Sequence, residues 1–114
     1  MNLFSLKNKT AIVTGALGLL GKEHCKALAS AGANVIVCDL DRTKSEKFAK
    51  RLQTKSIGCY FDVNDEFSIK ETRDIILDEF GHIDILVNNA AINDMFENPK
   101  AMAEKSKFEN YPFE

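Results

Sequence analysis

The run Thr14-Gly15-Ala16-Leu17-Gly18-Leu19-Leu20-Gly21 constrains this chain more than any other stretch. It follows a short apolar segment with strand character, Thr10 to Thr14, and opens a segment with helical spacing, Leu19 to Ala31. A strand, a glycine turn and a helix in that order leave the first backbone N–H groups of the helix without intrahelical partners. Together with the helix dipole, these groups favour an anion such as a pyrophosphate. Gly15 suits the tight turn that ends the strand. Gly18 lets the backbone approach a phosphate, and Gly21 lets the helix pack closely on the sheet. The N–H groups around Leu19 and Leu20 would then face the pyrophosphate. Turns need glycine for their own geometry, so on this run alone a plain tight turn remains an open reading.

Beyond the turn, apolar and amphipathic segments alternate. Asn34 to Cys38 reads as a second strand closed by Asp39, Ser56 to Phe61 as a third leading into Asp62 and Val63, and Ile83 to Val87 as a fourth. The first helix is expected to bury Leu20, Ala27, Leu28 and Ala31. The second opens on a capping-box pattern, Thr43 with Glu46, and turns Ser45, Phe48, Ala49 and Leu52 inward. The third starts at Asn64 as N-cap, with Asp65 and Glu66 in its first turn, and points Ile69, Thr72, Ile76 and Phe80 inward before stopping at Gly81. Strands joined by helices imply a parallel sheet with helices on both faces, and right-handed crossovers then restrict the topology. The expected fold is α/β: a three-layer, doubly wound parallel sheet of Rossmann type, incomplete, with strand order 3-2-1-4. Residues 1–92 form the dinucleotide-binding portion. Residues 93–114, polar and holding Pro99 and Pro112, are expected to form a long surface loop with at most a short helix over Ala101 to Phe108.

Composition excludes several classes. The chain has 114 residues, which allows one domain, and a net charge of −2, which gives no electrostatic reason to expect nucleic acid or an anionic membrane. No apolar run approaches the ~20 residues of a membrane span. Met1 to Lys9 lacks the apolar core of a signal peptide, so a cytoplasmic location is expected. Cys25, Cys38 and Cys59 are odd in number and without a CxxC pair, which fits buried thiols better than a disulfide framework or a zinc site. Glu23-His24 begins like a zinc-protease helix, but Leu28 stands where a second histidine would be needed. No metal is expected.

Three further positions agree with a dinucleotide. Asp39 ends the second strand, where a carboxylate can accept hydrogen bonds from the adenosine 2′-hydroxyl and repel a 2′-phosphate. NAD is therefore favoured over NADP; Arg42 argues for NADP, and Asp41 beside it argues against. Asp62 ends the third strand and could accept from the adenine amino group. Asn88, Asn89, Ala90 and Ala91 end the fourth, where small residues let a ribose or nicotinamide lie across the strand end. A solvated strand end, a helix-cap neighbour and a polar turn are the bland readings of these three places.

With these residues in hand, the chain resembles the short-chain dehydrogenase/reductase family from Lys9 to about Ile92. The likeness rests on Lys9 to Gly15 with the glycine turn, on Asp62-Val63, and on the run Phe80 to Ala90. It implies a nicotinamide cofactor contacted by Gly15, Gly18, Leu19, Leu20, Gly21, Asp39, Asp62, Val63, Asn89, Ala90 and Ala91. It also implies hydride exchange with an alcohol or carbonyl substrate, and a homo-oligomer for the complete enzyme. Two departures stand out. The family's single-domain branch has TGxxxGxG, whereas Gly18 and Leu19 give TGxxGxxG here, as in the extended branch. Asn88 to Ala91 replaces the usual NNAG. The chain is also similar to family members from bacterial flagellin and surface-glycan modification clusters, which implies a sugar-related substrate. The family's serine, its YxxxK pair and its helix asparagine have no counterpart: Tyr60 lies in a strand, and Tyr111 is followed by Pro112, Phe113 and Glu114. The expectation is an oxidoreductase represented by its cofactor-binding portion and inactive alone. A non-catalytic dinucleotide-binding module, a subunit completed by another chain, and a nonfunctional product are the competing readings.

Overall fold

The computed structural model describes residues 5–89. Their elements run β1 (Thr10–Thr14), α1 (Leu19–Ser30), β2 (Asn34–Asp39), α2 (Arg42–Lys50), β3 (Ile57–Tyr60), α3 (Glu66–Phe80) and β4 (Ile85–Asn88). The sheet order is β3-β2-β1-β4, with every pairing parallel, as the alternation of strands and helices predicts. Ala90, Ala91 and the expected loop over 93–114, including the short helix at Ala101 to Phe108, lie outside the described residues.

Handedness distributes the helices. From β1 to β3 the chain steps outward in one direction, so right-handed crossovers place α1 and α2 on one face of the sheet. The step from β3 back to β4 reverses direction and carries α3 to the other face. Two cores result. Val13, Val35 and Val37 meet Cys25 and Ala29 of α1 and Phe48 and Ala49 of α2. Ile36, Cys38 and Cys59 meet Ile76 of α3, with Phe61 and Phe80 packed beside them. Central β2 is buried along Val35 to Cys38, which is why it reads as a continuous apolar run. Edge strand β4 alternates between half-buried and exposed residues, and Leu86 is 65% exposed.

Local details differ from the expectations in ways with clear causes. The buried face of α1 is Gly21, Cys25 and Ala29, while Leu20 is exposed and Leu28 only half-buried. Small residues face the sheet because the helix lies close to it. The expected face of α2 holds, but its cap is Asp41, whose carboxylate accepts from Lys44 N–H at 3.0 Å; Thr43 is already inside the helix. On α3 the cap is Asp65, whose side chain accepts from Phe67 and Ser68 N–H, so Asn64 is displaced by one position. Ser68 takes the buried place expected of Ile69, because its hydroxyl donates to Asp62 and Asp65 carbonyls at 3.1 and 2.9 Å. The β4 ladder starts at Ile85 and not at Ile83: the carboxylate of Asp84 accepts the Thr10 N–H at 2.9 Å and its own N–H donates to Thr10 O, fastening the strand's entrance.

Candidate functional site

The connection from β1 runs to one side of the sheet and the one that enters β4 comes back past it, so the carboxyl ends of β1 and β4 form the topological switch point, where doubly wound sheets place their ligand crevice. The glycine turn stands on the β1 side. Gly15 has φ +62°, a conformation a side chain strains. At Gly21 a Cβ would lie 2.3 Å from Gly15 O and 2.8 Å from Ala16 Cα, so the first turn of α1 rests on the backbone of the glycine loop itself. Gly18 is extended (φ −71°, ψ 171°), which any residue adopts, and its N–H donates to Gly15 O at 3.2 Å. Among the described residues no side chain caps α1, and no acid occupies its first turn. The N-terminal amides therefore open beside exposed Leu19 and Leu20, with no carboxylate of their own.

Asp39 holds this turn in place. Its Oδ2 accepts from Leu17 N–H at 2.8 Å and its Oδ1 from Leu40 N–H at 2.7 Å, while Ala16 N–H donates to Cys38 O. Sequence reasoning missed this tether between the end of β2 and the glycine loop, because it joins backbone to side chain across 22 positions. A carboxylate has roughly four acceptor sites, so two remain for other donors. Beside Asp39 lies a cleft of about 480 Å³, lined by Asp41 and by Lys22, Lys44, Lys47 and Arg51. Lys22 also sits over the Phe48 ring at 5.7 Å. The spacing of Lys44, Lys47 and Arg51 was a readable signal for one basic side of α2. Arg42, in contrast, is engaged with Glu46 at 3.3 Å.

Phe61 N–H donates to Asp39 O, which brings the ends of β2 and β3 together. Asp62 therefore stands near Asp39 on the same sheet edge. Its Oδ1 accepts from Asn64 N–H at 2.9 Å, and Val63 beside it is 51% exposed. At the ends of β1 and β4, Thr14 and Asn88 are register partners, and the Thr14 hydroxyl donates to Asn88 Oδ1 at 2.9 Å. Asn89 is buried, and among the described residues neither its Oδ1 nor its Nδ2 finds a partner. Gly15 to Gly21, Asp39, Asp62, Val63 and Asn89 thus share the carboxyl side of one sheet.

Fold and crevice define a doubly wound α/β protein of Rossmann type. The short chain dehydrogenase family profile matches residues 9–111, and the chain belongs to that family. It is 37% identical over 99 residues to the short chain dehydrogenase/reductase dpchG of Colletotrichum higginsianum, covering 84% of this chain and 37% of the relative. It is 40% identical over 90 residues to galactitol 2-dehydrogenase of Agrobacterium fabrum, covering 79% and 35%. Among solved structures it resembles a hydroxysteroid dehydrogenase from Escherichia coli, with TM-score 0.67 and 32% identity, covering 75% of this chain and 37% of that one. The chain spans little more than a third of the length of these relatives. Among the described residues, no helix is long and apolar enough to cross a membrane.

Proposed function

We propose that residues 1–92 form the part of an NAD-dependent short-chain oxidoreductase that holds the adenosine and pyrophosphate of the cofactor. The observation that carries this reading is the uncapped start of α1, resting on Gly15 at Gly21, at the switch point of the sheet. The N–H groups of Leu19, Leu20 and Gly21 would bind the pyrophosphate. Asp39, already oriented by Leu17 N–H, would accept from a ribose hydroxyl. Asp62 and Val63 would flank the adenine. The buried amide of Asn89, with Ala90 and Ala91 after it, would face the nicotinamide-side ribose. When bound, the nicotinamide supplies hydride transfer to or from a carbonyl or alcohol. No residue of this chain corresponds to the family's serine or YxxxK pair, so turnover by the chain alone is not expected. A sugar-related substrate is part of this reading, supported by the likeness to galactitol 2-dehydrogenase. A cytoplasmic location and a homo-oligomeric complete enzyme also belong to it.

Calorimetric titration tests the proposal. ADP-ribose should bind nearly as tightly as NAD, and NAD with a panel of alcohols should yield no NADH above background. Absence of ADP-ribose binding by the folded chain would sink the reading. A strong preference for whole NAD would show that the nicotinamide half is held here as well.

The four cations beside Asp39 favour a second reading, in which the cleft takes the 2′-phosphate of NADP. Asp39 and Asp41 oppose it, and a phosphate beside a carboxylate is repelled. Competition of 2′,5′-ADP against 5′-AMP decides between them: preference for 5′-AMP supports NAD.

A further inference from the structure

We propose that Cys38 and Cys59 form a redox-active pair that closes into a reversible intrachain disulfide when oxidised by a peroxide. The two are direct register partners on neighbouring parallel strands. Such strands lie about 4.8 Å apart, and a disulfide spans Cα atoms roughly 4.4–6.8 Å apart. Both side chains belong to the core on the α3 face, together with Ile36 and Ile76. The third thiol, Cys25, belongs to the core on the opposite face, with the sheet between. All three are free in the structure.

The two partners differ in a useful way. Cys59 lies on edge strand β3 and is 5% exposed, whereas Cys38 lies on central β2 and is fully buried. A hydrogen bond to Cys59, then burial, push the Cys38 thiol above the ordinary range. The same hydrogen bond holds the Cys59 thiol below it, against desolvation. Cys59, on the outer strand and nearer solvent, is the sulfur that a peroxide reaches first, and it attacks as its thiolate. Its sulfur attacks one oxygen of hydrogen peroxide and the O–O bond breaks. The departing hydroxide takes up a proton to become water, and Cys59 becomes a sulfenic acid. Cys38 sulfur then attacks Cys59 sulfur. The S–O bond breaks as the S–S bond forms, and the leaving hydroxide carries off the Cys38 proton as a second water. Two thiols lose two electrons and the peroxide gains them. A dithiol reductant returns the bridge to thiols by exchange. It would form one residue before Asp39.

The test exposes the folded chain to hydrogen peroxide, quenches it, and counts thiols after denaturation, with non-reduced peptide mapping. Two of the three thiols should be lost, the Cys38 and Cys59 peptides should be joined, Cys25 should remain free, and dithiothreitol should restore all three. Bridging through Cys25, a covalent dimer, or three thiols surviving unchanged would overturn the proposal. Cys38→Ser should carry Cys59 on to the sulfinic acid, with no bridge. Should that variant not fold, Cys25→Ser keeps the pair and must still lose both remaining thiols. Neither readout involves a nucleotide, so failure here is separate from failure of the dinucleotide reading.

Discussion

Three helices start at the carboxyl end of one parallel sheet, and they start differently. α2 and α3 are sealed by their own carboxylates, Asp41 on Lys44 N–H and Asp65 on Phe67 and Ser68 N–H. α1 begins at Gly18 with no capping side chain among the described residues and no acid in its first turn. A capping aspartate stabilises a helix by about 1 kcal/mol, so α1 forgoes stability that its neighbours take. The helix that leaves its donors open is the one whose start lies at the switch point, where an anion can supply the missing acceptor.

The largest test of this contrast is Gly21→Ala. The new Cβ would press on Gly15 O and Ala16 at distances real side chains do not adopt, and both contacts are backbone. Overpacking of about 1–3 kcal/mol should lower Tm by roughly 5 °C or more, and calorimetry should show no ADP-ribose binding. Unaltered binding would break the comparison. Next is Leu19→Asp, at a position 85% exposed. It gives α1 the acid it lacks, so thermal melts should show Tm held or slightly raised. Repulsion of about 1–4 kcal/mol at close range should weaken ADP-ribose roughly fivefold or more. Opposite signs in the two measurements are the signature; a parallel loss of both would mean the substitution merely disturbs the fold.

Asp65→Ala provides the converse. Removing the cap of α3 should cost about 1 kcal/mol in urea unfolding, with little change in ADP-ribose affinity. The smallest effect lies away from every helix start. The Asp84 carboxyl is held below its ordinary value of 3.8, first by the Thr10 N–H and further by His82 Nδ1 at 2.6 Å. A depressed carboxyl contributes stability that is present above its unfolded value and is lost as pH falls through the folded one. Asp84→Asn should therefore be modestly less stable than the parent at about pH 6, and the gap should narrow below about pH 4. A constant gap across that window would show that the carboxylate's charge is not involved.

The fold was largely legible because its signals are local and redundant. Thr10 to Thr14 and Asn34 to Cys38 are apolar runs too short for helices, and Gly15, Gly18 and Gly21 sit where a strand must turn into a helix. What escaped depended on competition between neighbours. Asp41 and Thr43 both make good caps, as do Asn64 and Asp65, and the choice follows from where the preceding strand releases the chain. The inward face of α1 was misjudged because hydrophobicity points to Leu20 and Leu28, whereas closeness to the sheet selects Gly21, Cys25 and Ala29. At the site, Asp39 was visible as a strand-ending acid. Its hold on Leu17 N–H was not, because a side-chain bond to a distant amide leaves no periodic trace.

The clasp between Thr10 and Asp84 carries a consequence for how the chain reaches this shape. It joins residues 74 positions apart, and closing so long a loop costs roughly 4 kcal/mol of chain entropy. The β1-to-β3 unit brings together residues much nearer in sequence and has the buried strands β1 and β2 to condense on. On that ground its assembly should come first, with β4 docking last onto a β1 already in place, and pulse-labelled amide exchange during refolding checks the order. The switch point between β1 and β4 should then be the final feature to form, and native-state amide exchange should show β4 releasing before the β1-to-β3 unit.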